Sequence, residues 1–164
     1  MNLSKYSLED LFFTAIKAEI DSREAYSIMA GITKNAFLKD RFIFLAAEEE
    51  KHRRFLEGEF DKQLPGRKLK LPRVSPVPLP EINIQSENIP ISVLLQQAMD
   101  AEKAAYDFYT SFAKYAKGNA QFSVTLGYFA RMEESHYELL RQEKESAEEF
   151  EVFDDFNPGM HLGP

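Results

Sequence analysis

Six of the chain's eight prolines fall between Gln63 and Pro90, in the stretch "QLPGRKLKLPRVSPVPLPEINIQSENIP". Proline lacks the backbone N–H and its ring clashes with the preceding turn, so no helix runs through this segment. A structureless connection of this length is unusual inside a compact domain. One architecture has a use for it: a four-helix bundle in which two helical hairpins are joined by a single long crossover. The rest of the sequence fits that demand. Long stretches of helical periodicity flank the segment, and strand signals are confined to scraps such as "INI".

The expectation is an all-α chain with one domain over residues 1–164, a length that suits a single domain. Helix one runs over about 7–31, opened by "SLED", a Ser cap with an acid three residues on, and stopped at "GITKN". Helix two covers about 36–60. After the crossover of 63–90, Pro90 suits the first turn of helix three, which runs to about Lys117 and ends at "KGN". Helix four covers about 120–148. The acidic, aromatic tail over 149–164 reads as an irregular strap.

Stepping along one face of helix two gives Leu38, Phe42, Leu45, Glu49, His52 and Leu56. Helix four gives Phe122, Leu126, Phe129, Glu133, His136 and Leu140, the same pattern 84 positions later. In both, the polar members are one Glu and one His. Helix one gives Phe12, Ala15, Glu19, Ser22, Tyr26 and Met29. Helix three gives Leu95, Ala98, Glu102, Ala105, Tyr109 and Phe112, at an offset of 83. Each of these carries a Glu mid-stripe and a Tyr two turns later.

The chain is thus a duplicated helical hairpin at the level of pattern. With the apolar stripes facing inward, four carboxylates and two imidazoles meet in the core. An ionised carboxylate buried without a partner costs several kcal/mol even after relaxation. No Lys or Arg lies on the stripes to offset that. Two divalent metal ions would carry four positive charges against four carboxylates, which is neutral. The neighbouring acids Glu48, Glu50 and Glu134 fall off the stripes and read as solvated.

Composition removes other classes. A net charge of -7 leaves no dominant basic face for nucleic acid, and the short cluster Arg67-Lys68-Leu69-Lys70 reads as a solvated loop. The absence of cysteine removes disulfides, thiol catalysis, Cys-ligated zinc and any iron–sulfur centre in the chain. "MNLSKYSLEDLFF" has no secretory-signal pattern, and no apolar run approaches the roughly 20 residues of a membrane span. A cytoplasmic protein without membrane contact is expected.

The stripes and their spacing resemble the ferritin-like di-iron carboxylate family, and within it the rubrerythrin branch. One Glu from each of two helices, with Glu-x-x-His from the other two, is the arrangement of ferritin-like di-iron and di-manganese proteins. The resemblance covers both hairpins and the crossover. It implies a ferritin-like bundle and the metal ligands Glu19, Glu49, His52, Glu102, Glu133 and His136. Tyr26 and Tyr109 stand where this family often has tyrosines hydrogen-bonded to metal-binding glutamates. Glu49 and Glu133 would bridge, Glu19 and Glu102 would be terminal, and each His would bind one ion. Two Fe ions are implied, with Mn, mixed Fe/Mn or Zn as other occupants. Two departures stand out: the extra carboxylate usual three residues after the third-helix Glu is Ala105 here, and the Cys-rich rubredoxin module is missing.

The function implied is a non-haem di-iron oxidoreductase, a peroxidase or oxidase reducing hydrogen peroxide or O₂. Without cysteine, its electrons must come from a separate, rubredoxin-like donor protein. Three alternatives stand beside it: a ferroxidase that handles iron, a metal-stabilised bundle with a binding role, and a di-manganese catalase. The family implies a homo-oligomer, commonly a dimer, and the long crossover would permit helices to swap between chains. His161, off the stripes, reads as a capping or interface residue.

Overall fold

The computed structural model describes residues 1–84 and 89–156, with side chains up to Glu149. Four helices dominate: α1 over Leu8–Ile32, α2 over Ala36–Gln63, α3 over Ile91–Tyr115 and α4 over Ala120–Phe156. There is no strand among the described residues.

Local chemistry sets the starts. Ser7 and Asp10 form a reciprocal capping box on α1: the Asp10 amide donates to Ser7 Oγ at 3.1 Å, and the Ser7 amide to Asp10 Oδ2 at 3.0 Å. Asn35 caps α2 by accepting from the amides of Phe37 and Leu38. The α2 helix ends at Gln63, just before Pro65 and Gly66, whose φ of 81° only glycine adopts without strain. Pro90 is the N-cap of α3 rather than its first helical residue, and no side chain caps that end.

One sequence expectation is corrected. Residues 149–156 are helical and continue α4, so no irregular strap begins at 149. "EEFEVFDDF" holds no glycine or proline, and extending an existing helix costs little compared with starting one. The rest of the tail, His161 included, lies outside the described residues.

Phe12 fixes the topology. Its ring, near the start of α1, stacks on Phe122 at the start of α4 at 5.4 Å. It meets Phe60 at the end of α2 and Phe112 at the end of α3 edge-on, at 5.7 and 5.6 Å. One end of the bundle therefore holds the starts of α1 and α4 and the ends of α2 and α3. Hence α2 and α3 point the same way, and the connection between them must travel the bundle's full length. A 25-residue α3 is about 37 Å long at 1.5 Å per residue. The crossover is laid along the bundle accordingly: Leu64, Leu69, Leu71 and Leu79 pack on the core at the Phe12 end, and Ile82, Ile84 and Ile89 on the core at the other. Its middle is pinned where the Val77 amide donates to Oγ1 of buried Thr14 at 3.1 Å.

The two cores are separate. One gathers Phe12, Phe60, Phe108, Phe112 and Phe122; the other gathers Tyr26, Met29, Phe42, Leu45 and Leu95. Between them, at mid-height, the apolar filling is interrupted. Within each hairpin the backbones pack closely, whereas α1 and α2 meet α3 and α4 largely through side chains. That leaves the midline of the bundle to the polar residues of the stripes.

Candidate metal centre

All six polar stripe residues are buried, none more than 4% exposed. They occupy the level between the two cores. No Lys or Arg is buried among the described residues, so the histidines are the only buried side chains here that can carry positive charge. The helix period brings each His onto the face of the Glu three residues before it, and the antiparallel hairpins bring the two pairs together.

The shortest contact of each histidine runs across the halves. His52 Nδ1 lies 3.1 Å from Glu133 Oε1, 3.4 Å from Glu19 Oε2 and 3.5 Å from Glu49 Oε2. His136 Nδ1 lies 3.2 Å from Glu49 Oε1, 3.3 Å from Glu133 Oε2 and 3.7 Å from Glu102 Oε2. The imidazole rings are 6.0 Å apart. Two overlapping groups result: Glu19, Glu49, His52 and Glu133, and Glu49, Glu102, Glu133 and His136. Within each, donor atoms lie within 4.8 Å of one another. Glu49 and Glu133 belong to both, as bridging carboxylates must.

Hydrogen bonds do not account for this arrangement. Glu19 Oε2, Glu49 Oε1, Glu133 Oε1, both ring nitrogens of His52 and Nδ1 of His136 are buried with no hydrogen-bond partner. Each such atom costs about 1–3 kcal/mol if left so. These atoms belong to a donor set of oxygens and imidazole nitrogens that suits iron or manganese. Two divalent ions, one in each group, would satisfy the converging atoms and cancel the four carboxylate charges. The residues fit the metal pair.

The tyrosines complete the pattern. Tyr26 on α1 donates its hydroxyl proton to Glu102 on α3, and Tyr109 on α3 donates to Glu19 on α1. Each half thus orients the other half's terminal carboxylate. Burial, and then the adjacent Glu102 or Glu19, push both phenols well above their ordinary range, so both stay donors.

Without metal, the field of the site divides the carboxylates into two kinds. Burial, reinforced by the charge of Glu49, raises Glu19 and Glu102 well above the usual carboxylate range. Burial also opposes ionisation of Glu49 and Glu133, but His136 and His52 beside both outweigh it and hold them below that range. For the imidazoles, burial disfavours charge. Glu133 and Glu19 at His52, and Glu102 and Glu133 at His136, overcome that and raise both well above the ordinary histidine value. In the metal-free centre Glu49 and Glu133 thus favour the charged form, Glu19 and Glu102 the acid form, and both histidines the imidazolium.

Sequence reading anticipated these eight residues but not three others. The ring of Phe129 stacks on His52 at 4.3 Å and meets Tyr109 edge-on at 5.5 Å; in the sequence it is one more apolar stripe residue. Thr14 resembles core but anchors the crossover. Glu50 is only half-buried, yet it is not a merely solvated acid. Arg53 and Arg54 hold it down to about 2, and Arg23 reaches it from α1 at 3.4 Å. Glu48 too is half-buried and pairs with Lys51, so of the three acids read as solvated only Glu134 is exposed. No helix among the described residues is long and apolar enough to cross a membrane.

Comparison with known proteins agrees with this geometry. The family model described as Rubrerythrin matches residues 10–144. Among solved structures, a hypothetical protein from Pyrococcus furiosus is similar, with 32% identity and a TM-score of 0.83 over 91% of this chain and 95% of that one. No curated protein matches. The family match takes in both hairpins, the crossover and every residue of the centre, and this chain belongs to the rubrerythrin family.

Proposed function

We propose that the protein is a non-haem di-iron oxidoreductase that reduces hydrogen peroxide, or O₂, with electrons from a separate donor protein. One observation carries this reading: two groups of buried oxygen and nitrogen donors share Glu49 and Glu133, and six atoms of these residues have no hydrogen-bond partner. Glu19 and His52 would hold one ion, Glu102 and His136 the other, with Glu49 and Glu133 shared.

Two ferrous ions held there supply the two electrons that, with two protons, convert hydrogen peroxide to two waters. The chain's own residues do the rest. The two apolar cores above and below the centre keep bulk water from it. Tyr26 and Tyr109 fix the terminal carboxylates by donating to them, which sets where their free oxygens point. Without metal, burial and the charge of Glu49 raise Glu19 and Glu102 well above the usual carboxylate range, so ions bound there would compete with protons for these carboxylates. The chain has no cysteine, so a rubredoxin-like partner is the natural class of electron donor.

The deciding experiment is the metal content of anaerobically purified protein, followed by rapid mixing of the reduced protein with hydrogen peroxide and with O₂. Two irons per chain and faster oxidation by peroxide are expected. Inertness to both oxidants rejects the oxidoreductase reading. Turnover of many ferrous ions per chain would instead indicate a ferroxidase.

A further inference from the structure

The outer face of the α3–α4 hairpin carries a groove. One part, of ≈ 340 Å³, lies between Tyr106 and Lys114 of α3 and Gly127 and Arg131 of α4. A second part, of ≈ 170 Å³, lies between Tyr106 and Tyr137. Tyr106 and Glu134 line both, so the two parts adjoin. Glu134 and Tyr137 directly follow Glu133 and His136, and Tyr106 stands one turn beyond Glu102. Tyr106 packs on one core and Tyr137 on the other, so the groove spans the level of the centre between them.

The first hairpin does not share this face. By the repeat, Tyr106, Gly127, Glu134 and Tyr137 correspond to Arg23, Ile43, Glu50 and Arg53. There Arg23 reaches from α1 to Glu50 on α2 at 3.4 Å, and Arg53 and Arg54 hold the same carboxylate at 2.8 and 2.7 Å. Ion pairs thus tie α1 to α2 across the equivalent furrow. In the second half, two half-buried tyrosines replace the two arginines and Glu134 is exposed. Gly127 stands inside α4, where glycine costs about 1 kcal/mol relative to alanine. A Cβ there would meet nothing within 4 Å, so packing does not demand glycine. Its effect is to leave the groove open where the first half has isoleucine.

Charge singles out the same face. At its edge Lys103 pairs with Asp107 at 3.5 Å, and Glu138 with Arg141 at 2.9 Å. Lys114, Lys117, Arg131 and the acid Glu134 make no ion pair among the described residues, which leaves a local excess of positive charge on a chain of net charge -7. Arg131 also lies over the ring of exposed Tyr128, at 5.8 Å. Tyrosine and arginine are the residues enriched where proteins dock. Arg67, Lys68 and Lys70 are basic too, but they lie beside Leu69, which packs at the Phe12 end of the bundle.

We propose that this groove is the docking face for the electron donor, and that the donor is a small protein with an acidic surface around its redox cofactor. Two encounters, each oxidising one donor by one electron, return a diferric centre to the diferrous state. The proposal rests on the externally reduced di-iron reading of the site and adds to it the face and the charge of the partner.

The test measures, by calorimetry at low ionic strength, how tightly the metal-loaded protein binds zinc-substituted rubredoxin, an acidic probe that keeps a donor's surface but transfers no electron. Binding that weakens as salt rises is expected. Lys114→Glu combined with Lys117→Glu is expected to weaken it at least about tenfold, and Gly127→Ile, which fills the groove without changing charge, at least about fivefold. Arg67→Glu combined with Lys70→Glu makes the same change in net charge on the crossover and is expected to alter affinity less than about twofold. No binding by the wild type, wild-type affinity in either groove variant, or an equal loss in the crossover variant overturns the proposal. In a second readout, reduction of the oxidised protein by reduced rubredoxin is expected to slow in the groove variants, while reduction by dithionite does not. Equal slowing with dithionite would place the defect in the centre and overturn the proposal. If the reduced wild type resists both peroxide and O₂, the functional reading fails, while the affinities still decide whether this face docks an acidic protein.

Discussion

His52 Nδ1 and Glu133 Oε1 lie 3.1 Å apart although they come from opposite hairpins. The mirror contact joins His136 to Glu49 at 3.2 Å. Neither hairpin holds a complete half-centre of its own. Loss of a shared carboxylate should therefore be felt at both metal positions, and loss of a terminal one mainly at its own. Glu133→Gln is expected to weaken binding of both ions, and Glu102→Gln chiefly of one. Calorimetric titration with cobalt(II) distinguishes them. Two unaffected sites in Glu133→Gln would show that this carboxylate is not shared.

Metal loading should expel protons. Glu19 and Glu102 favour the acid form, and His52 and His136 the imidazolium, in the metal-free protein. Divalent ions bound there would displace protons from these groups. Affinity is then expected to fall steeply on acidification. Titrations in buffers of different ionisation enthalpy count the protons directly, and a count near zero contradicts the assignment.

The same shifts set the stability of the metal-free protein. Groups raised on folding make the native state bind more protons than the unfolded chain, so stability falls as pH rises. For Glu19 and Glu102 the loss begins above their ordinary value of 4.5, and for the histidines above 6.5. Glu49 and Glu133 act oppositely, and their contribution is lost on acidification through values below 4.5. Urea midpoints of metal-free protein should decline from pH 5 toward pH 9. With saturating metal the slope should reverse.

Tyr109→Phe keeps the ring but leaves Glu19 without its donor. A loss of about 1–3 kcal/mol is expected in the metal-free protein. Metal affinity should fall by about 10–100-fold, as is typical when a partner of a metal ligand is removed. Thermal melting and cobalt titration measure the two effects. An unchanged affinity would reduce Tyr109 to a core residue.

Thr14→Val removes the acceptor for the Val77 amide. A cost of about 1–3 kcal/mol is expected, together with faster hydrogen exchange at Val77 and along the crossover. Exchange followed residue by residue provides the check. Protection equal to wild type would mean that the apolar contacts of the crossover hold it unaided.

Much of the centre was legible because helical periodicity placed each Glu and His among apolar neighbours, a setting in which an unpaired charge cannot persist. The crossover was legible from proline chemistry. What periodicity does not convey is which hairpin partners which. The reach of Tyr26 to Glu102 depends on α1 and α3 being antiparallel, a tertiary fact. Phe129 reads as any core ring until His52 is laid against it. The end of α4 is hard to place from sequence because the apolar stripe gives out after Leu140, while the helix runs on through an acidic segment that holds no glycine or proline before Asn157.

The duplicated hairpin has a consequence of its own. A centre built by two identical hairpins from separate chains must present the same residue on both sides, since each mutation appears twice. Two hairpins fused in tandem escape that constraint. This chain uses the freedom: Phe129 against His52 corresponds to Leu45 in the other half, and Ala105 corresponds to Ser22. The two ions of a loaded centre are thus inequivalent by inheritance. His52 carries a stacked aromatic ring at a position where the other half has leucine, and fusion lets the affinities and potentials of the two ions drift apart while the ligand set stays matched.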